Sequence, residues 1–276
     1  MNMSEVAARG LVLLGCGRMG SALLEGWLKQ GLPPSSVHVI DPNPSARLRA
    51  LAEEGLHLNA DLPEDAAIAL IAVKPQMMTD ALPGLRRLAD GRTLFVTVAA
   101  GISFAGYEAV LGENAPIVRA MPNTPAAVGR GITAIIGNGP STPAQLDLAD
   151  ALLQAVGQTV LLDSESQMDA VVGLSGSGPA YVFNMIEALA AAGEAQGLTP
   201  EMSLHLAKAT VAGAGALAEA SPEGPGTLRE NVTSPNGTTY EALKVLMDPQ
   251  TGLGPLMRKA VAASADRSRE LGRTDE

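Results

Sequence analysis

A glycine-rich turn near the start of the chain has the spacing that binds a dinucleotide. It follows an apolar run directly and precedes a helical pattern. Its residues are Gly15, Cys16, Gly17, Arg18, Met19 and Gly20. Glycines at these positions allow a tight turn, backbone approach to a pyrophosphate and close packing of helix against strand. The following helix N-terminus offers free N–H groups to the phosphates. The alternative is a glycine turn of an unrelated α/β protein.

An acidic residue supports the dinucleotide interpretation. Asp41 ends the second apolar run, about 20 residues beyond the glycine turn, as expected of a ribose ligand. Its carboxylate favours NAD because it repels a 2′-phosphate. Side chains just beyond it are able to receive that phosphate, and they are Asn43, Ser45, Arg47 and Arg49. NADPH and NADH therefore remain alternatives at this point.

The first half of the chain alternates short apolar runs with helical patterns. Such alternation predicts a mostly parallel, doubly wound Rossmann-type sheet. Gly31 and Gly55 mark helix ends, and Thr142-Pro143 marks a helix start. The predicted strands are residues 11–14, 37–40, 69–73, 94–98, 117–121, 132–136 and 160–162.

Strand patterns end after Asp163, and only helical segments follow. These cover residues 180–196, 200–220, 239–247 and 256–271. The fold class expected is therefore an α/β N-terminal Rossmann-type sheet followed by an all-α C-terminal domain. The expected domains are residues 1–165, which bind the dinucleotide, and 166–276, which are helical. Helices rich in Ala and Gly allow close backbone approach, so the second domain is a candidate for self-packing.

Composition excludes several other classes. The net charge is −10 and no dense Lys/Arg run is present, which argues against nucleic acid. One cysteine, Cys16, and three scattered histidines offer neither a disulfide nor a metal site. No apolar stretch is long enough for a membrane helix. Because no leader-like segment precedes the first apolar run, we expect a cytoplasmic protein.

Five further segments identify a family. They read AVKP at 72–75, VAAG at 98–101, RAMPNTP at 119–125, GLSGSGPAY at 173–181 and LRENVTSPNGTT at 228–239. Together with the glycine turn, from Leu11 to about Met247, the chain resembles pyrroline-5-carboxylate reductase. The resemblance implies NADPH- or NADH-dependent reduction of 1-pyrroline-5-carboxylate to L-proline, the last step of proline biosynthesis. It also implies a homodimer formed through the helical dimerisation domain, sometimes assembled into rings.

The resemblance also assigns roles to residues. Gly15, Cys16, Gly17, Arg18, Met19 and Gly20 are expected to hold the pyrophosphate, with Asn59 on the adenosine side. The nicotinamide ribose is expected beside Ala72, Val73, Lys74, Pro75 and Ala99, and Asn231 is expected to reach the cofactor from the helical domain. The substrate group comprises Glu165, Ser234, Gly237, Thr238 and Thr239. Two departures are Asn236, where the family often has Gly or Ala, and Val172, where Thr is common.

The segment from Ser234 to Thr239 also has a physical interpretation. Thr238 and Glu241 stand three apart, which predicts an N-cap and its capping-box partner. The plain alternative is a loop that merely starts a helix. The functional interpretation uses the same backbone, because free N–H groups at a helix start can bind a substrate carboxylate.

The proton donor is less defined than the hydride donor. Two alternatives are open for the proton on the imine nitrogen: the substrate arrives already protonated, or Thr239 and a bound water deliver the proton. Lys74 is an alternative acid, although a loop residue positioned by Pro75 is the simpler interpretation.

Two rival functions remain at this stage. One is another nicotinamide-dependent reductase, such as a hydroxyacid dehydrogenase or a different imine reductase. The second domain, however, offers no Lys or His placed as the base that hydroxyacid oxidation needs. The other is a non-catalytic dinucleotide-binding regulator, which needs the glycine turn but not the loop at Ser234 to Thr239.

Overall fold

The computed structural model describes residues 3–273, which form two compact units. The first unit contains the residues up to Gly176 and those from Ser264 onward, and the second contains Ser177–Ala263. The first unit thus continues beyond residue 165, because Met168 packs with Met121 and Ile136. The division into functional domains at residue 165 stays a prediction.

The first unit contains one eight-stranded sheet. Its strands are β1 (Leu11–Leu14), β2 (Val37–Ile40), β3 (His57–Leu58), β4 (Ile68–Ile71), β5 (Leu94–Thr97), β6 (Ile117–Met121), β7 (Gly131–Gly137) and β8 (Gly157–Leu161). Their order is β3-β2-β1-β4-β5-β6-β7-β8, and β6 and β7 are antiparallel while the other neighbours are parallel. The predicted, mostly parallel sheet is confirmed. The two-residue strand β3 was not predicted, because a periodic pattern needs a longer run.

Helices cover both faces of this sheet and form the second unit. They are α1 (Met3–Arg9), α2 (Arg18–Lys29), α3 (Ala46–Glu53), α4 (Met78–Ala81), α5 (Phe104–Leu111), α6 (Pro143–Leu153), α7 (Met168–Val171), α8 (Gly178–Ala195), α9 (Pro200–Ala220), α10 (Pro225–Asn231), α11 (Thr238–Leu246) and α12 (Leu253–Arg273). Helices α1, α4, α5, α7 and α10 were not among the predicted segments.

Alternate residues of β1 enter the two cores of the sheet. Leu11 and Leu13 belong to the cluster that contains Trp27 of α2, whereas Val12 and Leu14 belong to the cluster that contains Tyr107 of α5. All four β1 residues are buried. This explains the continuous apolar run in the sequence, since a parallel strand covered on both faces has no polar side.

The second unit has no strand among its described residues, as predicted. Helix α9 begins at Pro200, and the Thr199 hydroxyl caps it by accepting from the Met202 amide. Helices α8 and α9 approach closely, since a Cβ added at Gly193 lies 2.9 Å from the Ser203 hydroxyl. Within residues 3–273, no helix combines the length and apolar character needed to cross a membrane.

Candidate functional site

The glycine turn joins β1 to α2, and two of its glycines are required by their surroundings. Gly15 has φ of +85°, and a Cβ added there lies 2.8 Å from Val73 Cγ1. A Cβ added at Gly20 lies 2.5 Å from the carbonyl oxygen of Gly15, which closes the helix onto the turn. Gly17 differs, since a Cβ there has no atom within 4 Å. Gly15 and Gly20 are therefore packed against the rest of the chain, whereas the side of the turn at Gly17 is open. This arrangement fits a pyrophosphate over Gly17 and the α2 N-terminus.

Asp41 lies at the carboxyl end of β2 and is bonded to the glycine turn. Its Oδ2 accepts from the Cys16 amide at 2.8 Å, and its Oδ1 accepts from the Asn43 amide at 2.8 Å. The side chain of Asn59 holds the Asp41 backbone, because Oδ1 accepts from the Asp41 amide and Nδ2 donates to its carbonyl, both at 2.8 Å. The predicted residues Asp41 and Asn59 thus lie together with the turn.

Some of the polar side chains that follow Asp41 already bond to other groups of the chain. The Ser45 hydroxyl caps α3 by accepting from the Leu48 amide at 3.2 Å. The Arg47 guanidinium pairs with Glu25 at 2.8 Å and Glu54 at 3.7 Å. Two of the four candidates for a 2′-phosphate therefore already have partners within the chain.

The loops after β4 and β5 lie beside the glycine turn. The Ala72 amide donates to the Leu14 carbonyl at 2.8 Å, and the Val98 amide donates to the Ile71 carbonyl at 3.0 Å. The two loops lie there because β1, β4 and β5 pair in parallel, so that their carboxyl ends share one edge of the sheet. The predicted nicotinamide-side residues, Ala72 to Pro75 and Ala99, are thus brought to the edge that carries the turn.

Lys74 is exposed at this edge. It precedes Pro75, which begins a 3-10 helix of three residues, Pro75–Met77. This is the arrangement of a loop residue whose backbone is set by the following proline.

A buried hydroxyl pair lies next to the β5 loop and was not predicted. Thr97 Oγ1 and the Tyr107 hydroxyl are 2.5 Å apart, and the Ala99 amide donates to Thr97 Oγ1 at 3.4 Å. Burial raises the pKa of Tyr107 to about 12, so its hydroxyl keeps the proton at neutral pH. The pair fixes the start of the loop that carries Ala99.

Glu165 has partners within the first unit. Its Oε1 accepts from the Phe104 amide at 2.8 Å and from the buried Arg119 guanidinium. Arg119 also lies over the Phe104 ring at 5.9 Å. Arg119 was missed as a functional candidate, although a charged residue inside the apolar run of β6 was a usable signal.

The loop before α11 forms a turn, but the predicted capping box is wrong. Gly237, not Thr238, is the N-cap residue, and it makes no side-chain cap hydrogen bond. Asn236 has φ of 58°, and the Gly237 amide donates to the Ser234 carbonyl at 3.0 Å. The left-handed residue closes the turn earlier, so Thr238 is already helical. Glu241 pairs with Lys244 instead, at 2.5 Å.

The first backbone hydrogen bond of α11 is made by the Glu241 amide to the Gly237 carbonyl, at 3.2 Å. The amides of Thr238 and Thr239 therefore precede the helical ladder and are available to a ligand. Ser234 and Thr238 are exposed, and Thr239 is half-buried.

Asn231, which was predicted to contact the cofactor, lies at the end of α10 and donates to Glu223 Oε2 at 3.0 Å. Within 3–273, no group of three or more metal-ligating side chains is arranged to hold a metal ion.

A Rossmann-type sheet with this glycine turn, together with a helical unit, defines the class of NAD(P)-dependent oxidoreductases. Comparison with known families agrees. Residues 10–101 match the family model of NADP oxidoreductase, coenzyme F420-dependent. Residues 165–271 match the model of pyrroline-5-carboxylate reductase dimerisation.

Whole-chain comparisons identify the family. The chain is 38% identical to a pyrroline-5-carboxylate reductase of Pseudomonas aeruginosa, covering 95% of this chain and 96% of that protein. It is 37% identical to that of Pisum sativum, covering 95% of each. The solved pyrroline-5-carboxylate reductase of Coxiella burnetii is similar with a TM-score of 0.88 and 33% identity, covering 95% of this chain and 98% of that one. That of Plasmodium falciparum, with NADP bound, has a TM-score of 0.82 and 26% identity, covering 96% and 98%.

The chain belongs to the pyrroline-5-carboxylate reductase family. The predicted family and fold class are confirmed. So is the predicted activity, NAD(P)H-dependent reduction of 1-pyrroline-5-carboxylate to L-proline in proline biosynthesis.

Proposed function

We propose that NAD(P)H binds with its pyrophosphate over Gly17 and the first turn of α2. The observation that carries this assignment is the difference among the three glycines. Added Cβ atoms at Gly15 and Gly20 collide with the chain, whereas one at Gly17 meets open space. A ligand that needs backbone approach from one side fits that pattern. When bound, the cofactor supplies the hydride, and the chain supplies binding and orientation.

The remaining cofactor contacts form two groups around the turn. Asp41 and Asn59 belong to the adenosine side, at the carboxyl end of β2. The nicotinamide side comprises Ala72, Val73, Lys74, Pro75 and Ala99, on loops beside the turn. Asn231 is assigned to the cofactor by the family resemblance.

The substrate carboxylate binds at the start of α11. The free amides of Thr238 and Thr239 point along the helix start, where a negative charge is favoured. The hydroxyls of Ser234, Thr238 and Thr239 add polar partners, and Gly237 keeps the backbone accessible. Glu165 is assigned to the substrate by the family resemblance, and Arg119 orients its carboxylate.

Thr239 holds the proton needed at the ring nitrogen, with a bound water as its source. Thr239 is half-buried, whereas Ser234 and Thr238 are exposed, and burial strengthens a hydrogen bond to a developing charge. A substrate that arrives protonated makes the same contact without a proton transfer.

The second unit forms a homodimer, and dimers assemble further into rings. Large apolar side chains are exposed on its helices, as expected of a surface that a second copy covers. They are Val182, Phe183, Leu189, Met202, Leu204, Leu206 and Leu217. The match of residues 165–271 to a dimerisation model supports the same surface.

The enzyme acts in the cytoplasm. Its one cysteine, Cys16, is a buried free thiol, which is consistent with a reducing compartment.

The oxidation of NADH and NADPH, followed by absorbance with 1-pyrroline-5-carboxylate, tests the proposal. Turnover with this imine, and its loss with Gly237→Val, are expected, because a side chain there blocks the loop backbone. Gly213→Val is the control for a valine added to a helix of the same unit, since a Cβ at Gly213 of α9 has no atom within 4 Å, whereas one at Gly237 lies 3.1 Å from the carbonyl oxygen and the hydroxyl of Ser234. Absence of turnover with the imine, or equal losses in both variants, contradicts the assignment.

A further inference from the structure

The hydrogen bonds around Asp41 form a relay that begins at the edge of the sheet. Strand β3 has two residues, and its register with β2 ends at Val39↔Leu58. One further ladder bond follows, from the Asn59 amide to the Val39 carbonyl at 2.8 Å. The backbone of Asp41 lies beyond this last bond. Its amide and carbonyl are bonded by a side chain, that of Asn59, instead of by a strand.

Asn59 meets three requirements of this position at once. Its backbone is left-handed, with φ of 50°, a conformation that Asn tolerates better than most residues. Its amide offers one acceptor and one donor group, and both are used on the same residue, Asp41. Ala lacks both groups, and Asp lacks the donor.

The relay ends in the glycine turn. Asp41 Oδ2 accepts from the amide of Cys16, the second residue of the turn, at 2.8 Å. On its other side, β2 is bonded to the turn through the Gly15 amide and the Ile40 carbonyl, at 2.8 Å. A carboxylate bonded to a backbone amide is a strong, directional contact. The position of that carboxylate depends on the backbone that carries it, which Asn59 holds.

We infer that Asn59 is a positioning residue, which orients the pyrophosphate-binding turn through the backbone and carboxylate of Asp41. The inference rests on the proposed cofactor site and adds a role that needs no contact between Asn59 and the cofactor. Because the relay acts on the turn shared by both cofactors, its loss affects NADH and NADPH equally.

Direct binding measurements test this role. Asn59→Ala raises the dissociation constants of NADH and NADPH about tenfold each, as the loss of two hydrogen bonds implies. The kcat at saturating cofactor stays within about twofold, since bound cofactor reorders the turn. In the free protein, hydrogen–deuterium exchange of the Cys16 amide becomes faster. Asn59→Gly is expected to show the same changes. Because glycine adopts a left-handed backbone without strain, this variant shows that the loss of the side-chain amide, and not backbone strain, causes them.

Asn138, a buried asparagine that also bonds to Glu108 and Ser141, provides a control for general destabilisation. Its amide also bonds to backbone groups, accepting from the Ile117 amide at 2.9 Å and donating to the Ala115 carbonyl at 3.0 Å. These contacts lie at the amino end of β6, the opposite edge of the sheet from the turn. Asn138→Ala therefore lowers the unfolding midpoint but leaves both dissociation constants and Cys16 exchange unchanged.

Several results overturn the inference. One is unchanged affinity and unchanged Cys16 exchange in Asn59→Ala. Another is a loss confined to NADPH, which indicates direct contact with the 2′-phosphate. A third is an equal loss of affinity in Asn138→Ala, which indicates a general effect of instability. A wild-type chain that binds neither cofactor removes the proposed function and this inference with it, whereas wild-type binding that Asn59→Ala leaves intact removes the inference alone.

Discussion

The variant Gly17→Asp distinguishes an effect on cofactor binding from an effect on folding. It should weaken cofactor affinity without lowering the free energy of unfolding. Gly17 is the N-cap of α2 and makes no side-chain cap hydrogen bond. Asp is among the preferred N-cap residues, and its charge interacts favourably with a helix N-terminus. Since no atom lies within 4 Å of an added Cβ, the new side chain causes no collision. The free energy of unfolding should stay constant or rise by up to about 1 kcal/mol.

Cofactor affinity should fall sharply in the same variant. The proposed position puts the pyrophosphate directly over Gly17, so the new carboxylate faces a diphosphate. Two unit charges about 4 Å apart repel by about 4 kcal/mol at an effective dielectric constant of 20. Counter-ions and side-chain rotation reduce this, and a loss of affinity of about 100-fold is a reasonable expectation.

Titration with NADH and NADPH at two salt concentrations measures the effect. Gly17→Asn is the control, because it has nearly the same size and a similar N-cap preference but no charge. The difference between Asp and Asn should shrink at high salt, as screening requires. The reasoning is refuted if Gly17→Asp binds either cofactor as tightly as Gly17→Asn, or if the Asp variant is clearly less stable than wild type.

Three other predictions concern stability, pH and the proton. Gly20→Ala should lower the free energy of unfolding by about 1–2 kcal/mol, because the methyl group meets a carbonyl oxygen in the turn, and chemical denaturation measures this. The pKa of His38 is lowered by burial and by the stacked His57 ring. Since the unfolded state binds this proton at higher pH, stability should decrease as the pH falls below about 6.5; His38→Gln should reduce this decrease, and an unchanged pH profile would contradict the assignment. Thr239→Val should lower kcat and alter its pH profile, whereas Thr238→Val should mainly raise KM for the imine, and full turnover with an unchanged profile in the former would exclude the proton role.

Much of the first unit could be predicted from the sequence, because its signals are local. Largely apolar runs located β1, β2 and β6 to the residue, since strands covered on both faces have few polar positions. His38 in β2 and Arg119 in β6 are the exceptions. The helix start at Thr142-Pro143 was similarly predicted, and Thr142 is the N-cap of α6. The capping-box partner, Gln145, was not predicted. The strand β3 and the short helices were not predicted, because elements of a few residues carry no periodicity.

The sequence by itself determined the family, the dinucleotide turn and the order of elements, since each depends on residue types at short spacing. Only the tertiary structure decided how side chains distant along the chain are used. The side-chain amide of Asn59, predicted as a cofactor contact, is bonded to the backbone of Asp41, and the Glu165 carboxylate is bonded to Arg119. Neither of these pairings was visible in the sequence. Likewise, the left-handed Asn236 moved the N-cap of α11 to Gly237. The physical reason is that hydrogen-bond partners are chosen by proximity in space and by backbone conformation, which residue types alone do not specify.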